Sequence, residues 1–390
     1  MRVLLAFDKF KDSLTAPAAC ASAARALQAA HPDWMLDLCP LADGGEGFCE
    51  ILTAAAGGEL RRFSVAGPRR NEIEAPIGLV PLARIPSAAR ALLGVPDSPR
   101  ATPTAHPTVA IIEMASASGL ALLTPELRDP WRTTTTGTGE LIRAAAEAGA
   151  ATILLGVGGS ATHDLGLGAL ASLGLEFFSA HGEPIAPPIP ARWSEISRVA
   201  GRISPPLPPI RIACDVTNPL LGSRGAAATY GPQKGLRSED LARLDHASAR
   251  LAMLLCAHFG RPDALMDVPG AGAAGGISFG LMAATGAKLL PGFDLVSAWL
   301  DLEARLAAAD LVITGEGRFD DSSLQGKGPG AVAARALARG KRVHVFAGRA
   351  TAAHPPVNLA VHSITPAGVP LDQALSQASQ LLETSVRAAF

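Results

Sequence analysis

The residues of this chain that could do chemistry sit on short runs punctuated by glycine. GVGGSATHD (156–164) follows an apolar, β-type segment at 151–155 and precedes an Ala/Leu-rich helical stretch. Gly158 and Gly159 let backbone N–H groups close around an anion, and Ser160 and Thr162 offer hydroxyls. The helix that follows would point its positive end at the same spot. Asp164 adds a carboxylate within one turn, suited to a metal ion or to proton abstraction. Tight αβ turns also carry glycines for packing alone, so this run by itself supports either reading.

Further runs share this character. DKFKDS (8–13) comes after the first apolar segment: Lys11 and Ser13 could hold a carboxylate or phosphate and Asp8 could touch a metal, or the run is a solvated turn with Ser13 as a cap. DGGEG (43–47) sets Asp43 and Glu46 among Gly44, Gly45 and Gly47. Such a loop is open to close approach of a ligand, to Mg²⁺ or to a hydroxyl proton, and equally to a turn before an acidic helix start. TTTTGTGE (133–140) could bind phosphate or substrate hydroxyls, or cap a helix. Asp215 ends a strand-like segment in ACDVTNP (213–219), and GPQKG (231–235) presents Lys234 between glycines, where it could meet a phosphate. GAGAAGG (270–276), with Gly272, Gly275 and Gly276, opens a helix as a second nucleotide loop or as close packing through small residues. The last run, 310–327, brings Glu316, Asp320 and Asp321 and then Lys327 off a strand. Carboxylates to hold a metal and a cation to take up charge are what phosphoryl transfer requires.

Other chemistries find less support. GxxxxGK[ST] does not occur, no GxGxxG leads to a convincing ribose acid, and neither HExxH nor CxxC is present, which argues against zinc. Cys20, Cys39, Cys49, Cys214 and Cys256 are scattered and odd in number, as core residues of a reducing cytoplasm would be. A net charge of −1 and a single Tyr argue against nucleic acid or an anionic membrane surface as partner. With 48% hydrophobic residues the chain can build a large core, yet no apolar run approaches the ~20 residues of a membrane span.

The elements that must position these runs alternate between β-type and helical. Residues 3–7, 36–38, 109–114, 151–155, 210–213, 311–314 and 342–346 read as short buried strands. Thr15 caps a helix with Pro17 in its first turn, and 48–56, 139–148, 239–257, 276–284 and 330–338 read as helices. Alternation of this kind implies an α/β fold with largely parallel sheets flanked by helices, and ligands bound beyond the carboxyl ends of the strands. The stretches 81–107 and 183–209, rich in proline, are expected to be solvent loops. We expect two domains: 1–68 with 290–390, and 69–289 inserted as the second, with a cleft between them collecting the loops.

Taken in order, these runs resemble the bacterial class I glycerate kinases over nearly the full length. The resemblance rests on 8–14, ADGGEG (42–47), IEMASASG (112–119), 135–140, GGSAT (158–162), 213–219, 231–235, 269–276, ITGEGR (313–318) and Gly326 with Lys327. It implies ATP- and Mg²⁺-dependent phosphorylation of D-glycerate to 2-phosphoglycerate, some relatives making the 3-phosphate, in two αβ domains with the active site between them. Carried over position by position, it assigns Lys11, Asp43, Asp164 and Lys327 to catalysis and Glu316 and Asp320 to the metal. Gly158, Gly159, Ser160, Lys234, Gly272, Gly275 and Gly276 fall to the nucleotide phosphates, and Ser13, Gly44, Gly45 and Asp215 to the substrate. The chain departs from the family pattern at His163 and Leu165, where relatives commonly carry Asn and Gly, and at Phe7 and Lys9, where they carry Pro and Ser. A histidine beside Asp164 could titrate near neutral pH. The competing readings are a kinase for another small hydroxy acid, a nucleotide-linked dehydrogenase, and a non-catalytic sugar-acid-binding protein.

Overall fold

The computed structural model of the chain describes residues 1–95, 107–320, 323, 328–351 and 356–390. Two compact units divide it: Met1–Asp43 with Val296–Phe390, and Gly44–Leu295 between them. In chain order the strands are β1 (Arg2–Phe7), β2 (Met35–Leu38), β3 (Glu59–Ala66), β4 (Glu72–Pro81), β5 (Thr108–Glu113), β6 (Thr152–Gly156) and β7 (Leu175–Phe178). β8 (Arg198–Gly201), β9 (Ile210–Ala213), β10 (Lys288–Leu290), β11 (Leu311–Phe319), β12 (Arg342–Ala350) and β13 (Leu359–Ser363) follow.

The first unit is a five-stranded parallel sheet in the order β13-β12-β11-β1-β2. Val3, Leu5 and Phe7 face a layer made by Ala19, Cys20, Ala23 and Leu27 of the helix Ala16–Ala30 and by Leu382 and Val386 of the C-terminal helix. Leu4 and Val312 are fully buried too, so the strands read as continuous apolar runs because both faces are covered. The Thr15 hydroxyl accepts the Ala18 N–H at 3.3 Å and caps the first helix, as its position before Pro17 suggests. The chain leaves β1 for β2 on one side, while β11, β12 and β13 extend the sheet on the other. The carboxyl ends of β1 and β11 are therefore the place where the winding direction reverses, the usual ligand crevice of such sheets.

The second unit holds a six-stranded sheet in the order β10-β9-β6-β5-β4-β3. Strands β5, β6, β9 and β10 are parallel, and β3 and β4 form an antiparallel hairpin at one edge. The expected boundary at 68/69 would part β3 from β4, with which it pairs from Glu59↔Leu79 to Ala66↔Glu72; residues 44–68 instead group with the inserted unit. Two expected loops also contain ordered elements. Ser87–Leu93 is a helix, and Arg198–Gly201 pairs with β7 beside the fully buried Trp193. Among the described residues no helix is long and apolar enough to cross a membrane.

Candidate functional site

In the first unit four carboxylates gather at the carboxyl edge of the sheet. Phe7 pairs with Gly315 across β1 and β11, and the Asp8 N–H donates to the Gly315 carbonyl at 3.0 Å, so Asp8 and Glu316 leave neighbouring strands side by side. After β2 the chain runs on along β1, Leu41 N–H donating to the Phe7 carbonyl, and delivers Asp43 to the same edge. There the Lys9 ammonium meets Asp43 at 3.1 Å, while the Lys9 N–H donates to Asp8 at 2.7 Å. Burial pushes the Glu316 carboxyl up to about 7, and the negative charges of Asp8, Asp320 and Asp43 push the same way; a hydrogen bond from Ser323 opposes them. Lys11 is exposed, and Ser13 donates its hydroxyl to the Phe10 carbonyl at 3.1 Å, which holds the turn. Lys327 and Asp321 lie outside the described residues.

Crowded carboxylates whose own repulsion raises a proton affinity are a hard-oxygen environment that a divalent cation would relieve. Among the described residues no three His, Cys, Asp or Glu side chains converge on a metal position. Mg²⁺ takes one or two carboxylates and completes its shell with phosphate oxygens and water. The carboxylate oxygens of Asp8, Glu316 and Asp320 are of the hard type that Mg²⁺ takes one or two at a time.

In the second unit the glycine runs are packed on one another. Gly158 N–H donates to the Gly44 carbonyl at 2.9 Å, and a Cβ on Gly158 would stand 2.7 Å from the Gly45 backbone. These glycines let two loops touch, and neither the Gly158 N–H nor the buried Gly44 and Gly45 is presented to a ligand. Gly272, Gly275 and Gly276 are likewise buried: a Cβ would meet Pro219 O at 2.2 Å, Thr162 O at 2.1 Å and the Leu165 side chain at 2.6 Å, respectively. The start of the helix Ala273–Thr285 thus packs against 162–165, with the Leu165 N–H donating to the Gly275 carbonyl at 3.0 Å.

Asp164 is enclosed by its surroundings. It is 1% exposed, and its Oδ2 accepts the Thr135 N–H at 2.8 Å, the Thr135 hydroxyl at 2.9 Å and the Gly168 N–H at 3.2 Å. Its Oδ1 accepts the Gly166 N–H at 3.2 Å. Burial raises its proton affinity and these bonds oppose the rise. A carboxylate so enclosed ties two helix starts together. Asp215, assigned to substrate, accepts the Phe293 N–H at 2.9 Å at the start of the helix Gly292–Trp299, the position of an end cap. His163 is fully buried with its Nε2 3.1 Å from the Ser248 hydroxyl; burial, reinforced by Lys234, pulls it down to about 3, so it stays neutral rather than titrating near pH 7.

Lys234 does not stand on an open loop. It is 1% exposed, and its Nζ donates to the Ser160 hydroxyl at 2.9 Å and to the Thr162 carbonyl at 2.7 Å. The Gly159 and Ser160 N–H groups, in contrast to that of Gly158, donate to no acceptor among the described residues. Glu113, at the end of β5, is a residue that sequence reasoning misses. Its Oε2 accepts the Gly47 and Cys49 N–H groups at 3.0 and 3.3 Å, and burial, aided by Glu46, raises it to about 7. Its place as the last residue of an apolar strand, inside the 112–119 run, is the signal that could have found it.

A family model described as the glycerate kinase family matches residues 3–390. The chain is 36% identical to a glycerate kinase of Halalkalibacterium halodurans over 99% of its own length and 96% of the relative's. It is 38% identical to a glycerate 2-kinase of Escherichia coli K12 over 90% of this chain and 86% of that protein. A crystal structure described as that of a putative glycerate kinase 2 from Salmonella typhimurium LT2 superposes with a TM-score of 0.75 at 38% identity, covering 100% of this chain and 97% of the other.

Proposed function

The chain belongs to the glycerate kinase family, and from that premise we propose that it transfers the γ-phosphoryl group of ATP to the 2-hydroxyl of D-glycerate, giving ADP and 2-phosphoglycerate. The carboxylates at the ends of β1 and β11, where the sheet reverses its winding, carry this reading. The name of the Escherichia coli relative, a glycerate 2-kinase, favours the 2-position.

In the transfer, the glycerate hydroxyl oxygen forms a bond to the γ-phosphorus as the bond to the β,γ-bridging oxygen breaks, and the hydroxyl proton passes to a carboxylate. Asp43 is suited to accept that proton, because its side chain is 44% exposed and the Lys9 ammonium fixes its orientation at 3.1 Å. Lys11, exposed on the neighbouring turn, and Lys327 of the 310–327 run are the cations available to the transferring group. Mg²⁺, held by Glu316 and Asp320, would offset the charge of the nucleotide phosphates. The scattered cysteines, odd in number, match a cytoplasmic setting, where ATP is at hand.

Release of ADP with D-glycerate, L-glycerate and tartronate as acceptors, followed by phosphorus NMR of the product, tests the proposal. Turnover confined to D-glycerate with a 2-phosphate product is expected. A 3-phosphate product would overturn the regiochemistry, and absence of any ADP release the kinase assignment to glycerate.

A further inference from the structure

Lys234 is fully buried on the turn Pro232–Lys234, flanked by Gly231 and Gly235. An ammonium taken out of water costs several kcal/mol unless good partners receive it, and such groups persist where a defined geometry is at stake. Its hydrogen bonds go to a single stretch of backbone, through the Ser160 hydroxyl and the Thr162 carbonyl. Burial draws the amine down to about 7 from 10.5, with Asp164 acting the other way. The stretch it grips is otherwise tied at its flanks: Gly158 N–H to Gly44 O, Leu120 N–H to Gly159 O, and Ala161 N–H to Ser118 O. Between those ties lie the two successive N–H groups of Gly159 and Ser160, with Gly159 at φ +70°. Consecutive N–H groups held in such a turn form an anion-binding concavity; the Lys234 amine behind it adds to the attraction, and the Glu46 carboxylate, which a Cβ on Gly159 would meet at 2.7 Å, opposes it.

We propose that Lys234 is a positioning residue, whose bridge from Ser160 Oγ to the Thr162 carbonyl sets the turn that offers the Gly159 and Ser160 N–H groups to the nucleotide phosphates. This rests on the ATP reading above. Lys234 itself, enclosed beneath the loop, touches no reacting atom.

The test uses the full chain as wild type, Lys234→Met, Ser160→Ala and the double variant, with MgADP titration by calorimetry beside steady-state kinetics. Lys234→Met is expected to raise the Kd for MgADP and the KM for ATP about tenfold, while KM for glycerate and kcat at saturating ATP move by less than about threefold. Ser160→Ala is expected to raise the MgADP Kd about threefold, and the double variant to bind no worse than Lys234→Met alone, since one bond is shared. Unchanged MgADP affinity in Lys234→Met, whatever its melting temperature, overturns the proposal. So does additivity of the two substitutions. Should Lys234→Met fail to fold, unchanged affinity in Ser160→Ala overturns it as well. Wild type that binds MgADP but leaves glycerate unphosphorylated sinks the function alone; wild type that does not bind MgADP sinks both.

Discussion

Asp43 and Asp164 are the same residue type on glycine-rich loops, and surroundings alone separate them. Asp43 is half exposed beside Lys9, whereas Asp164 is enclosed by four donated hydrogen bonds. Asp43→Asn should therefore lower kcat about a hundredfold or more with the melting temperature nearly unchanged. Asp164→Asn has to turn an NH₂ toward either Gly166 N–H or the three donors on the other oxygen, which leaves buried donors unpaired. Its expected effect is a loss of about 1–3 kcal/mol in stability, read by urea unfolding. A stable but inactive Asp164→Asn would return that residue to the mechanism. His163 makes a pH prediction. Its folded value of about 3 lies below the ordinary 6.5, so the unfolded chain takes up a proton first as pH falls. The stability of the neutral buried ring is complete above about 6.5 and is lost progressively toward 3, by roughly 1.4 kcal/mol per pH unit within that window. Glu113 and Glu316, raised to about 7, act in the opposite sense between 7 and 4.5, so the comparison must be with a variant. His163→Asn should lose less melting temperature than wild type between pH 6.5 and 4.5; parallel curves would show that His163 is not held neutral. The sequence placed His163 beside Asp164 correctly, but a one-dimensional neighbour says nothing of solvent access, and burial decides both of their protonation states.

At the scale of elements, glycine spacing reported close approach without telling what approaches. Gly275 lies at φ +72° with Thr162 O 2.1 Å from where its Cβ would be, and Gly260 lies at φ +60° with open space around it. Both would strain an alanine backbone by about 1 kcal/mol, but only at Gly275 must a backbone carbonyl also move. Gly260→Ala should cost about 1 kcal/mol and Gly275→Ala about 3 kcal/mol or more, measured by chemical unfolding of each variant. Equal costs would mean that the contact between the helix start and the loop yields easily. The carbonyl in question is the one that Lys234 holds, so Gly275→Ala also disturbs the turn from below. The central parallel strands of both sheets were legible because they are buried on two faces and read as unbroken apolar runs, whereas the short edge strands β10 and β13, only partly buried, were missed. The β3–β4 hairpin was not: β3 is largely exposed, carries Arg61 and Arg62, and pairs with a strand containing Pro76. Proline clusters likewise concealed β8, whose four residues are too short for a periodic signal.

For the whole molecule, both chain ends fall in one compact unit, and the chain passes from Asp43 to Gly44, from one unit to the other, in the middle of a loop motif, which is why no shift of composition marks the boundary. The two cores draw on separate stretches of sequence. One is built from residues such as Ala75, Ile112, Leu155, Leu170, Ile212, Leu251 and Phe279, all within 44–295. The other uses Val3, Phe7, Leu27, Ile313, Phe346 and Leu382. A stretch of this length with its own six-stranded sheet and its own core meets the requirements of an independent folding domain. Residues 44–295 expressed alone should therefore unfold in one cooperative transition, followed by circular dichroism in urea, with a slope proportionate to its size. The structural contacts of Lys234, Asp164 and His163 all lie inside that stretch, so Asp164→Asn should lower the fragment's transition as it lowers that of the full chain. The fragment lacks Asp8, Glu316 and Asp320 and should show no ADP release with glycerate at any Mg²⁺ concentration. A fragment without a cooperative transition would mean that the inserted unit depends on the other for its stability. An Asp164→Asn effect seen in the full chain but absent from a folded fragment would mean that the carboxylate does not anchor the loop.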